Sequence, residues 1–179
     1  MKTATDLDEF YDRDDPWDYE TTPDDVVRKR RLSEVLPTLT PQRTLDIGCG
    51  DGFVTFDLPG SEVVGIDLAS RAISAANRKA TARPDAARFK FEVASFFDLT
   101  ASKFGKFDLI VITGVIYKEY LGQSSALVHA IVDDLLQQDG FLISCHIDEW
   151  TTSRFPYTLL DTSFYSYRNY IHRLEVHKK

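Results

Sequence analysis

The chain has 179 residues, 43% of them hydrophobic, which suits one domain of ordinary size with a proper core. Its formal charge of −7 and pI near 5.1 argue against a nucleic-acid binder, which usually carries a basic face. No apolar run approaches a membrane span and no hydrophobic signal core opens the chain. The two cysteines, Cys49 and Cys145, lack disulfide or zinc spacing, so a cytoplasmic protein without a metal site is expected.

Residues 1–8 read as a loose leader. Residues 10–20 interleave large aromatics with acids and show no helical or strand period, as a loop packed over another surface would. A helix is expected over residues 22–36, with Thr22 as its cap, Pro23 in its first position and Pro37 as its stop. Val27, Leu32, Val35 and Leu36 mark its buried side, and Arg28 or Arg31 is placed to turn inward.

The stretch Thr44-Leu45-Asp46-Ile47-Gly48-Cys49-Gly50-Asp51-Gly52-Phe53 reads as a buried strand, a glycine turn and the start of a helix. That is the mononucleotide-binding half of a doubly wound fold. Phe53 stands where the dinucleotide fingerprint requires glycine. Carboxylates at Asp46 and Asp51 would repel a pyrophosphate and suit a ligand carrying an ammonium or sulfonium charge. A second strand, Val63-Val64-Gly65-Ile66-Asp67-Leu68, ends in an acid about 20 residues after the turn, where an acid takes ribose hydroxyls in this fold class. Asp67 alone would also serve as a cap for the next helix.

Residues 70–82 are alanine-rich and helical, and residues 88–93 alternate as a half-buried strand. Residues 107–112 form an apolar run suited to the middle of a parallel sheet. Residues 124–138 read as an amphipathic helix with Leu127, Val128, Ile131 and Leu135 inward and Gly140 as its end. Residues 141–145 are a fifth strand, followed by His146, Asp148, Glu149 and Trp150 at the binding edge of the sheet. Residues 151–170 are aromatic and irregular, either capping a pocket or covering the sheet, and residues 171–177 suit a last strand near the edge with His172 and His177 facing solvent.

Together Asp46-Ile47-Gly48-Cys49-Gly50-Asp51-Gly52 and Gly65-Ile66-Asp67 resemble the first two motifs of the class I S-adenosylmethionine-dependent methyltransferases. The likeness continues through residues 91–99 and 107–117. It implies an α/β, Rossmann-like, seven-stranded and mostly parallel sheet with an antiparallel last strand and helices on both faces. On this reading residues 1–179 are a single domain, with a leader or lid over 1–22, a helix over 23–37 and the core over 41–179. The triplet Asp15-Pro16-Trp17, then Pro23 and Arg28, is similar in spacing to the nodulation N-methyltransferases that act on chitooligosaccharides.

The resemblance implies S-adenosyl-L-methionine as cofactor. It implies cofactor contacts at Trp17, Arg28, Asp46, Gly48, Gly50, Asp67, Leu68, Ser95, Phe96 and Thr113. Ser95 stands where the family usually has an acid, so its hydroxyl would meet the adenine without charge. No Asn/Asp-Pro-Pro-aromatic run follows the fourth strand, which counts against methylation of a nucleobase amine. Tyr117 is expected near the transferred methyl. His146 is expected as the base for an oxygen nucleophile, since an unperturbed imidazole titrates near neutrality. The expected reaction is methyl transfer to an N or O atom of a small acceptor, a sugar or natural product among the options. A cofactor-binding module without catalysis is the alternative.

Overall fold

A computed structural model describes residues 3–12, 16, 18, 22–36, 40–122, 125–151 and 154–179. Among them the helices are α1 (Ala4–Phe10), α2 (Pro23–Glu34), α3 (Ser70–Thr81), α4 (Ala101–Phe104), α5 (Lys118–Leu121) and α6 (Ser125–Leu135). The strands are β1 (Arg43–Ile47), β2 (Glu62–Asp67), β3 (Phe89–Val93), β4 (Phe107–Thr113), β5 (Leu136–Ile147), β6 (Thr158–Tyr167) and β7 (Tyr170–Lys178).

The strands form one sheet in the order β3-β2-β1-β4-β5-β7-β6. Strands β1 to β5 pair in parallel, and β7 lies antiparallel between β5 and β6. Successive side chains of a strand point to opposite faces, which divides the core in two. Leu45, Ile47, Ile110, Ile112 and Leu142 pack with α6 on one face. Leu109, Val111, Ile143, Cys145 and Leu174 pack with Leu32 of α2 and Ile73 of α3 on the other. The order reverses between β1 and β4, so the loops at their carboxyl ends diverge and leave a crevice.

Several local expectations change. The leader holds a helix: α1 starts on a capping box between Thr3 and Asp6, and Asp8 accepts bonds from Arg71 N (3.0 Å) and Ser70 Oγ (2.9 Å) at the start of α3. The helix expected after the glycine turn is a three-residue 3-10 turn, Thr55–Asp57, because Pro59 follows at once and β2 begins at Glu62. Gly140 caps no helix, since α6 passes straight into β5 at Leu136. Leu127 is exposed and Val132 buried, because Val128, Ile131, Val132 and Leu135 make the one continuous stripe.

The region read as irregular contains β6, joined to β7 by a two-residue turn between Tyr167 and Tyr170. Arg168 takes φ 53° there, a left-handed conformation with no glycine to announce it. Pairing with β6 puts β7 inside the sheet, so His172 and His177 are buried and do not face solvent.

Candidate active site

The glycine turn is tied to β2. Ile66 O accepts from Gly48 N (2.8 Å) and Cys49 N (2.9 Å), and Asp67 Oδ2 accepts from Gly50 N (2.9 Å). Asp67 Oδ1 also takes Ala69 N at 2.9 Å, so the carboxylate joins the turn to the start of α3 and still has lone pairs to offer. Burial raises its pKa. At Gly48, φ is +76° and an added Cβ would fall 2.1 Å from Val115 Cγ2, so both conformation and space exclude a side chain.

The two acids that bracket the turn have separate partners. Asp46 is buried, accepts from Thr55 Oγ1 at 2.6 Å, and is pushed up to about 6 by burial. Asp51 turns to α3, where Lys79 Nζ lies 2.7 Å away. The negative field at the turn is therefore carried by Asp67 and Asp46, with Asp51 neutralised.

Helix α2 supplies the opposite charge. Of its basic run, Lys29 pairs with Asp57 and both Arg30 and Arg31 with Glu34, while Arg28 turns inward. Its Nη1 reaches Thr113 Oγ1 (3.3 Å) at the end of β4, and its Nε reaches Asp25 Oδ1 (3.1 Å). Asp25 is fully buried and also accepts from Tyr167 Oη (2.8 Å) and Arg168 (3.0 Å). One carboxylate thus ties α2 to the β6–β7 hairpin.

A cavity of about 480 Å³ lies over the carboxyl ends of the strands. Of the expected cofactor residues, Arg28, Gly48, Asp67, Leu68, Ser95, Phe96 and Thr113 line it. Asp46 and Gly50 do not, and each acts behind the wall through its bond to Thr55 or Asp67. Trp17 lies outside the described residues. Ser95 Oγ accepts from Phe97 N at 3.2 Å, and Phe96 is buried edge-on to Phe97. Leu7 and Tyr11 of the N-terminal segment join the wall, the latter with its Oη 2.9 Å from where a Gly50 Cβ would stand.

The far end of the cavity is ring-lined. Tyr117, Tyr120, Trp150, Tyr167, Tyr170 and His172 meet there. Trp150 stands edge-on to Tyr117 (5.5 Å) and Tyr170 (4.8 Å). Tyr117 Oη accepts from Ile147 N at 2.9 Å, and burial pushes its phenol well above the ordinary value. Tyr117 is therefore a wall residue that stays protonated.

His146, the expected base, does not line this cavity. It is buried on the opposite face of β5 from Cys145, edge-on to Tyr117 at 5.6 Å. Its Nε2 is buried without a hydrogen-bond partner, and burial holds its pKa down at about 3. Among the described residues no group of three or more His, Cys, Asp or Glu side chains is placed to hold a metal, and no helix is long and apolar enough to cross a membrane.

Sequence reasoning missed Leu7, Tyr11 and His172. The leader was too short for a period to show its helix, and His172 enters the wall only because β6 pairs outside β7. The aromatic content of residues 151–170 was the available signal for Tyr167 and Tyr170.

This arrangement defines the ligand-binding edge of a doubly wound α/β protein: a glycine turn, an acid at the end of β2 and an open cavity at the switch point. A family model described as a methyltransferase domain matches residues 41–176. The chain belongs to this family and is an S-adenosylmethionine-dependent methyltransferase. No curated protein matches the sequence.

Solved structures agree on the fold. The N-methyltransferase NodS from Bradyrhizobium japonicum WM9, in complex with S-adenosyl-L-homocysteine, gives a TM-score of 0.80 at 19% identity, covering 100% of this chain and 99% of that one. Magnesium protoporphyrin IX methyltransferase (ChlM) from Synechocystis PCC 6803, with bound SAM, gives 0.72 at 17% identity, covering 100% and 98%. The [4+2]-cyclase SpnF gives 0.67 at 13% identity, covering 86% and 80%, so the fold alone does not define the reaction.

Proposed function

We propose that the protein transfers a methyl group to a nitrogen or oxygen atom of a small-molecule acceptor. One observation carries this: the cavity runs from Asp67 at the end of β2 to a separate ring-lined end at β5, β6 and β7. Adjacent strands lie about 4.8 Å apart, so β2 and β7, four places apart in the sheet, are separated by about 19 Å. That span has room for two reactants side by side.

On this reading Asp67 accepts from the ribose hydroxyls of the cofactor, and Gly48 lets backbone approach it. Leu68, Ser95 and Phe96 receive the adenine. Arg28, backed by Thr113 and Asp25, meets the methionine carboxylate, with Trp17 as a cover. Asp46 and Gly50 hold the turn in shape. Residues 1–22 act as a lid, to which α1 contributes Leu7 and Tyr11, and residues 1–179 work as one domain.

The cofactor supplies a methyl group already activated by its sulfonium. The chain's own task is to hold the two reactants in line and exclude water. Such alignment can remove about 7–11 kcal/mol of barrier. Tyr117 packs against the acceptor as a protonated wall. His146 is given no role in proton transfer, because its ring is buried outside the cavity.

Calorimetric titration with S-adenosyl-L-homocysteine, with NAD as control, tests the site. Saturable binding of the first alone, lost in Asp67→Ala, is expected. Binding of NAD instead, or an unchanged affinity in the variant, would overturn the assignment.

A further inference from the structure

His172 enters the cavity wall with a bonded network behind it. It stands opposite Tyr165 on the β6–β7 ladder. Its Nδ1 lies 3.2 Å from Tyr165 Oη and 3.6 Å from Cys145 Sγ, and these two atoms are 3.1 Å apart. Tyr167 stacks on the imidazole at 3.9 Å between ring centres and fixes its plane. Burial keeps both the Cys145 thiol and the Tyr165 phenol protonated, so each has one hydrogen to donate. An imidazole nitrogen accepts better than sulfur. The Tyr165 hydroxyl therefore donates to His172 Nδ1, and the Cys145 thiol donates to Tyr165 Oη. The neutral ring then carries its proton on Nε2. Among the described residues nothing bonds that nitrogen.

The surroundings select a partner for this N–H. Arg28 and Arg168 are the charged groups acting on the ring, and both also bond Asp25. Two other polar groups of this end have partners: Glu119 bonds Tyr120, and Tyr167 Oη donates to Asp25. The same end also holds the rings of Tyr117, Trp150 and Tyr170 with Ile147 and Arg168, and Trp150 keeps 47% of its surface exposed at the rim. Trp150, edge-on to both Tyr117 and Tyr170, leaves a slot between rings that suits a flat partner. A flat ring bearing one anionic oxygen matches it, with stacking for the ring and an N–H donor for the charge.

We propose that the acceptor is a phenol bound as its phenolate, with His172 Nε2–H donating to the oxygen that becomes methylated. Tyr165 and Cys145 are positioning residues that hold the tautomer. The phenol's proton passes to solvent on binding. The oxygen's electron pair then forms the new O–C bond while the methyl–sulfur bond breaks, and the pair of that bond stays on sulfur. The proposal rests on the methyltransferase reading and adds to it the chemical class of the acceptor.

The probe is 4-nitrophenol, whose ionised form absorbs visible light, mixed with the full chain and saturating S-adenosyl-L-homocysteine. The bound probe is expected to ionise about one pH unit below the free one, a tenfold preference for the phenolate. His172→Leu should abolish the shift, and His172→Gln, which keeps an N–H donor, should restore part of it. Absence of saturable binding, a bound probe that stays neutral, or a full shift in His172→Leu would overturn the proposal. Should His172→Leu not fold, nitrogen-15 spectra of the histidines decide. The His172 ring is expected as the Nε2–H tautomer at neutral pH, disturbed in Tyr165→Phe. An Nδ1–H or charged ring would refute the network. Calorimetry on the same samples separates the two levels: if S-adenosyl-L-homocysteine binds and the probe does not ionise, only the phenol assignment fails.

Discussion

Replacing Asp25 by alanine should destabilise the protein by about 3–5 kcal/mol, the usual effect of removing one partner from a buried ion pair. Three groups from two distant parts of the chain converge on this carboxylate: Arg28 from α2, and Tyr167 and Arg168 from the β6–β7 hairpin. The Arg28 side chain is only 8% exposed, so removing Asp25 takes an ion-pair partner from a charge that stays largely out of water. Arg168 is 40% exposed and regains water, so its share is small. For a chain of this length each kcal/mol moves Tm by about 2–4 °C, which gives a fall of roughly 6–20 °C. Urea unfolding followed by circular dichroism measures the free energy, and a thermal scan checks it. Asp25→Asn should fall between the two, since it keeps an acceptor and loses the charge. A loss below about 1 kcal/mol in Asp25→Ala would mean that Arg28 is solvated, and that the hairpin does not depend on this link.

Gly48→Ala should lose about 1–3 kcal/mol through its positive φ and the contact with Val115, and calorimetry should find S-adenosyl-L-homocysteine binding weakened as well. Asp46 titrates near 6 in the folded chain against 3.8 unfolded, so the folded state holds the extra proton between those values. Its contribution to stability therefore decreases as pH rises from about 4 to 6, by on the order of 3 kcal/mol, and stays lost above. Unfolding curves of Asp46→Asn across that range should lack this slope. His146→Phe should retain turnover and stability, because the ring is buried beside Tyr117 with its Nε2 unpartnered. A fall in kcat of tenfold or more, with the fold intact, would return His146 to the reaction.

Much of the glycine turn and its acid was readable residue by residue. Glycines at 48 and 50 before an acid at 67 leave few structural alternatives, because a tight turn, close backbone approach and a carboxylate at the next strand's end are local demands. Arg28 was one of two inward candidates on the helix and the one that the N-terminal resemblance implied, and its bonds to Thr113 and Asp25 show it turned inward. The α1 helix was hidden for the opposite reason. Its seven residues present no buried side chain, and its placement depends on Asp8 finding the start of α3, 62 residues away in sequence.

The ring-lined end of the cavity depended on tertiary structure. His146 and His172 look alike in sequence, each a histidine in an apolar strand. Strand alternation puts His146 on the face of Leu142 and Ser144, beside Tyr117, and turns its ring away from the cavity. His172 belongs to the face of Cys145 and Tyr165 and reaches the cavity. Which strand covers which is set by the order β5-β7-β6, in which the last strand in sequence is inserted between the two before it. Sequence by itself determined the glycine turn and the acid beside it, because the conformations and charges they need lie within about 20 consecutive residues. Only tertiary structure decided which aromatic and histidine side chains form the second half of the cavity, because strand pairing over long separations is settled by burial and register, which no local pattern encodes.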